Sequence, residues 1–300
     1  MKNVLEEIIK KEFTVMDKNR PMKELTSFRL GGEADLVLYP KDEEELIKGV
    51  RLCRKHHIPY MVMGKGTNLL ISDQGLPGVI LALQKGCDSI EVHGDTIYAQ
   101  SGALLKDVAE KAADYALTGM ETLHGIPGSV GGAITMNAGA YGGETKDVVA
   151  GVRALCKDGE VREFTNEQMN FRYRGSLVED EDLIVLGATY QLKKGNQEEI
   201  RESMEDFWNR RVSKQPLEWP SAGSTFKRPE GYFAGKLIDD AGLRGLRHGG
   251  AQVSEKHCGF VINRDHASTK DVVELIEIIQ KTVFDKFGVL LETEIKVIGR

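Results

Sequence analysis

The sequence predicts an α+β fold in two or three units, and three observations carry that reading. Its 300 residues are too many for one ordinary core. The chain passes from a βαβ pattern to hairpin-like strands within its first hundred residues. Two long helical patterns then mark its last third, with no internal repeat or low-complexity tract between.

The elements follow in order. Ala34–Tyr39 reads as a strand that Pro40 ends. Acidic residues 42–45 open a helix carrying Leu46, Ile47, Val50 and Cys53 on one face, and Arg54 to His57 close it with the sign the macrodipole prefers. Pro59–Met63 is the next strand and runs into Gly64-Lys-Gly-Thr-Asn-Leu69. Strands are expected over 79–83, 89–92 and 96–100, with His93-Gly94-Asp95 as a turn. A helix covers 104–117, and further strands cover 148–156, 161–164 and 183–192. Lys193–Gln197 reads as a polar linker. A helix over 198–212, an irregular loop over 213–229, a helix over 270–287 ended by Gly288, and an alternating strand over 289–298 complete the chain.

Composition excludes several classes. With 41% hydrophobic and 29% charged residues the chain is neither disordered nor a membrane protein, and no apolar run nears bilayer length. The amino-terminal MKNVLEEIIKKEF has no apolar signal core, which predicts a cytoplasmic protein. Forty basic against 46 acidic side chains leave a net charge of -6, a poor balance for nucleic acid. Cys53, Cys87, Cys156 and Cys258 form no CxxC pair, so packed thiols are expected. The seven histidines show no metal-ligand spacing.

Glycine is in excess, at 33 residues, and seven fall between Gly125 and Gly143. Such a stretch lets backbone N–H groups approach a pyrophosphate closely, while Ile126, Val130, Ile134 and Met136 argue for order. The Gly64 loop is no dinucleotide fingerprint, because Leu69 stands where the third glycine would be. On local pattern alone it reads as a tight turn after a strand. Gly235-Lys236 is no P-loop, and GxSxG fails at both Ser129 and Ser224. Taken singly, Ser224 reads as a loop serine, Glu294 as a solvated strand residue and Arg174 as a surface arginine.

Taken together, six segments in order resemble the UDP-N-acetylenolpyruvoylglucosamine reductases. They are Thr26–Asp35, the Gly64 loop, Gly125–Gly143, Tyr173-Arg174, Ala222–Lys227 and Glu294. The spacing between Arg174 and Ser224 is that of the shorter, type II subgroup, which lacks the loop bearing a substrate-capping tyrosine. The resemblance implies an FAD-binding fold of the vanillyl-alcohol oxidase/PCMH type plus a carboxy-terminal α+β substrate domain. Its implied boundaries are 1–83 (with 295–300 returning to it) and 84–200 for FAD, and 201–294 for substrate.

It further implies a bacterial cytoplasmic monomer with non-covalent FAD and NADPH as co-substrate. The second substrate is UDP-N-acetylglucosamine-enolpyruvate, with no nucleic acid and no membrane as partner. Gly64, Lys65, Gly66, Thr67, Asn68 and Leu69 would wrap the cofactor with Gly125, Ile126, Pro127, Gly128, Ser129, Gly131, Gly132, Ala133 and Asn137. Arg174, Ser224 and Glu294 match the catalytic residues: arginine for the carboxylate, serine as proton donor, and glutamic acid as a protonated hydrogen-bond donor. Tyr173, Lys214, Lys227 and Arg228 would contact substrate, although many relatives carry asparagine at position 228. Another flavin oxidase of the same fold, acting on a hydroxy acid or sugar lactone and tethering its flavin through His124, is the competing reading.

Overall fold

The computed structural model describes Ile9, Glu12, Phe13 and residues 16–299. Most of the amino-terminal run MKNVLEEIIKKEF, and Arg300 of the returning segment, lie outside these residues. By packing, the chain forms two units. One holds Leu36–Lys65 and Val79–Arg211 with the described residues before Lys18. The other holds Lys18–Asp35, Gly66–Gly78 and the described residues from Val212 onward.

A five-stranded antiparallel sheet frames the first unit, in the order Val161–Thr165, Val149–Leu155, Ile184–Gln191, Thr96–Gln100, Ile90–His93. Alternation does the work: Ile97, Ala99, Val152, Ala154, Ala188 and Tyr190 turn inward and are buried. Helix Leu105–Asp114 covers that face with Leu105, Val108, Ala109, Ala112 and Ala113. A second core lies under helix Glu43–Lys55, whose Leu46, Val50 and Cys53 meet Leu36, Leu38, Val79 and Leu81. Asp42 caps this helix, accepting from the Glu45 N–H at 2.9 Å, and Arg54 and Lys55 end it as expected. Gly49 lets the helix pack closely here: a Cβ would stand 2.6 Å from Leu81 Cδ2, which would have to shift. Beside it Tyr60–Met63 pairs in parallel with Leu76–Ala82, Tyr60 opposite Val79.

The second unit is organised by helix Thr269–Phe287. Ser268 and Asp271 form its capping box, and Gly288 ends it in the left-handed region at φ 69. Its Val272, Leu275, Ile276, Ile279 and Val283 are buried, each contributing roughly 1.5–3 kcal/mol of transfer free energy. They pack with helix Ala234–Asp240 and a small antiparallel sheet of Arg247–His248, Ala251–Val253 and Val261–Asn263. Lys296–Ile298 lies parallel to Leu69–Ile71, Val297 opposite Leu70.

Several elements depart from the sequence reading. Helix Val130–Met136 lies inside the glycine stretch, and Leu69–Ile71 is a strand. Lys193–Lys194 pairs with Leu117–Thr118 rather than forming a free linker. The final alternating segment is regular strand only over Lys296–Ile298; Leu291 and Ile295 are buried as its pattern requires, but Val297 is exposed. Among the described residues no helix is long and apolar enough to cross a membrane.

Candidate functional site

In the first unit the glycine stretch is ordered by backbone bonds to the strand end beside it. The Val130 N–H donates to Ala103 O, the Leu105 N–H to Gly128 O and the Gly131 N–H to Ser101 O, each at 2.9 Å. Ser129 caps helix Val130–Met136, and Asn137 ends it at φ 41. The helix forms despite two glycines because Val130, Ala133 and Ile134 reach the core. Pro127 and Gly132 stay exposed, and Ile126 packs partly against the core. Gly64, half-exposed beside exposed Lys65, lies so close to Ser129 that any Cβ would overlap the Ser129 Oγ. The two glycine segments thus meet closely, with only the small Ser129 side chain against Gly64. Such a surface is a cradle for an oxyanion-bearing group, and the residues present fit FAD.

Arg174 stands on a tight turn closed by reciprocal Arg172–Gly175 backbone bonds of 3.0 and 3.2 Å. It adopts φ 54, with its guanidinium 4.9 Å from the Tyr173 ring. Two bonds pin this turn to the glycine stretch. Asn137 Nδ2 donates to Arg172 O at 3.2 Å, and Ser176 Oγ donates to Thr135 O at 3.1 Å. Asn137 is fully buried, and its Oδ1 accepts from the Lys146 N–H. Its amide therefore positions the arginine turn. Arg172 adds a bidentate pair to Asp180 at 2.7 and 2.9 Å.

In the second unit, two extended segments bring Thr225, the neighbour of Ser224, opposite Glu294. The Glu294 N–H donates to Thr225 O at 2.9 Å and the Lys227 N–H to Glu292 O at 2.8 Å, a short antiparallel ladder around Phe226 and Thr293. Thr225 fixes the segment beneath: its N–H donates to Gly259 O, and its Oγ1 accepts from the Val261 N–H. Gly223, at φ 78, supplies the left-handed turn that leaves Ser224 partly exposed. Asn68 reaches the same ladder, donating from Nδ2 to Glu294 O at 3.1 Å. Gly66 takes φ 64 and would press a Cβ to 2.6 Å from Leu25 O; Thr67 and Leu69 are half-buried.

The remaining candidates lie at the rim of this unit. Lys227 Nζ meets Glu292 at 3.2 Å, and Arg228 stacks on the Phe233 ring at 4.0 Å. Lys214 is exposed at the end of helix Gln197–Lys214. The four cysteines are buried, and burial raises the thiols of Cys53 and Cys87 to about 12 and of Cys258 to about 11, which makes them inert.

His257 is held neutral. Burial is the main cause lowering its pKa from 6.5, and its Nδ1 accepts from the Gly259 N–H at 3.1 Å. Protonation would set a donor against that N–H. Because the folded value is depressed, the unfolded chain takes up the proton first, so stability falls as pH drops below 6.5. His257→Gln keeps an acceptor without the titration. Between pH 7 and pH 5 its melting temperature will fall less than that of the parent; parallel losses would refute the assignment.

One residue escaped the sequence reading. Arg211, which looked like an ordinary polar helix position, is 7% exposed and packs on Gly125. No motif marks it; only its place three residues before Lys214, near the helix end, sets it apart.

Comparison with known proteins places the whole chain. A family model described as the C-terminal domain of UDP-N-acetylenolpyruvoylglucosamine reductase matches residues 215–298, and an FAD binding domain model matches residues 34–165. A reductase of that name from Clostridioides difficile is 49% identical, over 97% of this chain and 95% of its own. Another, from Caldanaerobacter subterraneus subsp. tengcongensis, is 50% identical over 94% and 93%. The crystal structure of the Thermus caldophilus reductase superposes with a TM-score of 0.80 at 34% identity, covering 94% of this chain and 98% of that one. Phl p 4.0202, a glucose dehydrogenase, shares the fold alone, with a TM-score of 0.51 at 16% identity over 65% of this chain and 44% of its own. By these identities over nearly its full length, the chain belongs to the UDP-N-acetylenolpyruvoylglucosamine reductase family.

Proposed function

We propose that this chain reduces the enolpyruvyl ether of UDP-N-acetylglucosamine-enolpyruvate to the lactyl ether of UDP-N-acetylmuramate, a step of peptidoglycan synthesis, with NADPH as reductant. Bound FAD would supply the hydride chemistry that links NADPH to C3 of the enolpyruvyl group. The chain's residues handle the charge and the proton. Negative charge develops over C2 and the carboxylate, where the Arg174 fork pairs with the carboxylate oxygens. Glu294, acting in its protonated form, donates a hydrogen bond to the same group. Ser224 Oγ supplies the proton to C2, a feasible transfer because a carbanion is a far stronger base than an alkoxide.

The single observation that carries this reading is the Thr225–Glu294 ladder, which sets Ser224 and Glu294 on neighbouring segments. The Arg174 turn, tied to the glycine stretch by Asn137 and Ser176, supports it. In this reading Gly64–Leu69 and Gly125–Asn137 hold FAD non-covalently, while Tyr173, Lys214, Lys227 and Arg228 face the sugar nucleotide. The functional division is 1–83 with 295–300, then 84–200, then 201–294, in a cytoplasmic monomer. An anaerobic titration tests the whole reading: NADPH must bleach the flavin, and the enolpyruvyl sugar nucleotide must restore its colour. Bleaching without restoration would reject the substrate, and a chain that binds no flavin would reject the enzyme.

A further inference from the structure

Segment Thr26–Asp35 carries part of the family resemblance yet contributes none of the candidate catalytic or cofactor residues. Within it, half-buried Ser27 reaches the segment of the candidate proton donor: its Oγ donates to Ser221 O at 2.6 Å, across 194 residues of sequence. The stretch from Ser221 to Ser224 is loose in itself. A Cβ on Gly223, which sits at φ 78, would meet nothing within 4 Å, so no neighbour holds its turn. Downstream, Thr225 is fixed by Gly259 O and the Val261 N–H. Upstream, the anchors are Ser27 Oγ on Ser221 O and the Asn263 N–H on Pro220 O at 2.9 Å. Ser224 therefore hangs between two fixed ends, and both of them place its hydroxyl.

Ser27 is itself firmly seated. Phe28 beside it is 1% exposed and belongs to the same core as Ala222 and Phe226. The Arg29 N–H donates to Thr26 O at 3.2 Å, closing a turn around Ser27, and Asn263 Nδ2 donates to Phe28 O at 3.4 Å. The Ser27 N–H donates to Gly66 O at 3.2 Å. There is no slack at that contact, because a Cβ on Gly66 would stand 2.6 Å from Leu25 O and 3.2 Å from Thr26 Cα. Ser27 thus joins Gly66 to Ser221, through its main chain on one side and its side chain on the other. Asn68 makes the matching link, donating from Nδ2 to Glu294 O at 3.1 Å. All of these residues lie in the second unit. One short segment, 66–68, is therefore tied to both the Ser224 and the Glu294 segments.

We infer that Ser27 is a positioning residue for proton delivery: its hydroxyl holds the Ser221 carbonyl so that Ser224 presents its Oγ from a fixed place relative to segment 66–68. Alanine at position 27 removes this donor from the Ser221 carbonyl and lets the Gly223 turn swing. Displacing a reacting group by about 1 Å costs up to about 100-fold in rate. The Ser27 hydroxyl is spent on Ser221 O, so its effect on the chemistry passes through Ser224.

This inference rests on the reading of Ser224 as proton donor, and the test separates the two. The flavin-loaded parent, Ser27→Ala, Ser224→Ala and the double variant are reduced with NADPH and then mixed with the enolpyruvyl sugar nucleotide. Ser27→Ala should bleach at the parental rate and reoxidise about 10- to 100-fold more slowly. Its reoxidation should also show a larger solvent deuterium isotope effect than the parent's, because proton delivery now limits the step. Ser27→Thr, which keeps the hydroxyl, should reoxidise within about threefold of the parent. The double variant should be no slower than Ser224→Ala, since no donor is left to misplace. A merely structural serine would slow both half-reactions together, or multiply its effect with that of Ser224→Ala; either result overturns the inference. Parental reoxidation in Ser27→Ala beside a slow Ser224→Ala overturns it as well and leaves the proton donor standing. Parental reoxidation in Ser224→Ala rejects the proton donor, and the inference falls with it. Melting temperature and flavin content show whether each variant folds. Should Ser27→Ala fail there, Ser27→Cys, close in size and with only a weak S–H donor, takes its place in the same cycle.

Discussion

Ser224→Ala will leave bleaching of the flavin by NADPH near the parental rate and slow its reoxidation by the enolpyruvyl substrate about 100- to 1,000-fold. The asymmetry follows from the chemistry. NADPH oxidation needs no proton at C2 of the enolpyruvyl group, whereas the second half-reaction stalls at a carbanion until one arrives. The structure makes the substitution clean. Thr225, the next residue, is fixed by its N–H to Gly259 O at 2.8 Å and its Oγ1 from the Val261 N–H at 2.9 Å. Gly223 retains its left-handed φ of 78 without help from the serine. Loss of one hydroxyl therefore removes a proton and leaves the ladder to Glu294 standing. Rapid-mixing spectroscopy of the two half-reactions reads the outcome, and equal slowing of both would refute the role of Ser224.

Much of the frame was legible because local signals agreed with tertiary ones. Acidic residues before Leu46 and basic ones after Cys53 marked helix Glu43–Lys55, and its apolar face faces the core. The same holds for Thr269–Phe287, where periodic Val272, Leu275, Ile276, Ile279 and Val283 met a terminal glycine. Helix Val130–Met136 was hidden because Gly-Gly-Ala-Ile-Thr has poor helix propensity. Its stability comes from Ser129, Asn137 and burial of Val130 and Ile134, none of which propensity reports. Strand Leu69–Ile71 was hidden because its partner, Lys296–Ile298, lies more than 200 residues away. The site residues were legible only as an ordered set. Local pattern gives a serine in a loop or a glutamate on a strand no distinction, and the ladder that unites them consists of backbone bonds.

Arg174 carries the second large effect, and Arg174→Lys is its most informative test. The substitution keeps the positive charge, and the turn has independent supports in the reciprocal Arg172–Gly175 bonds, the Arg172–Asp180 pair and Asn137. Lysine can adopt the φ of 54 found there at a cost no greater than arginine does. The fork is what changes. An ammonium meets a carboxylate as a point charge and cannot hold both oxygens in the plane that conjugates with C2 as charge spreads. Loss of one preorganised charge-stabilising donor slows turnover about 100- to 1,000-fold, while flavin content and bleaching by NADPH stay parental. Reoxidation within about threefold of the parent would mean that net charge alone suffices, a result the fork geometry does not allow. If flavin is lost instead, the turn has moved with the side chain. A melting temperature matched to the parent separates these cases, because the supports of the turn lie in the backbone and in Asn137, not in the arginine head group.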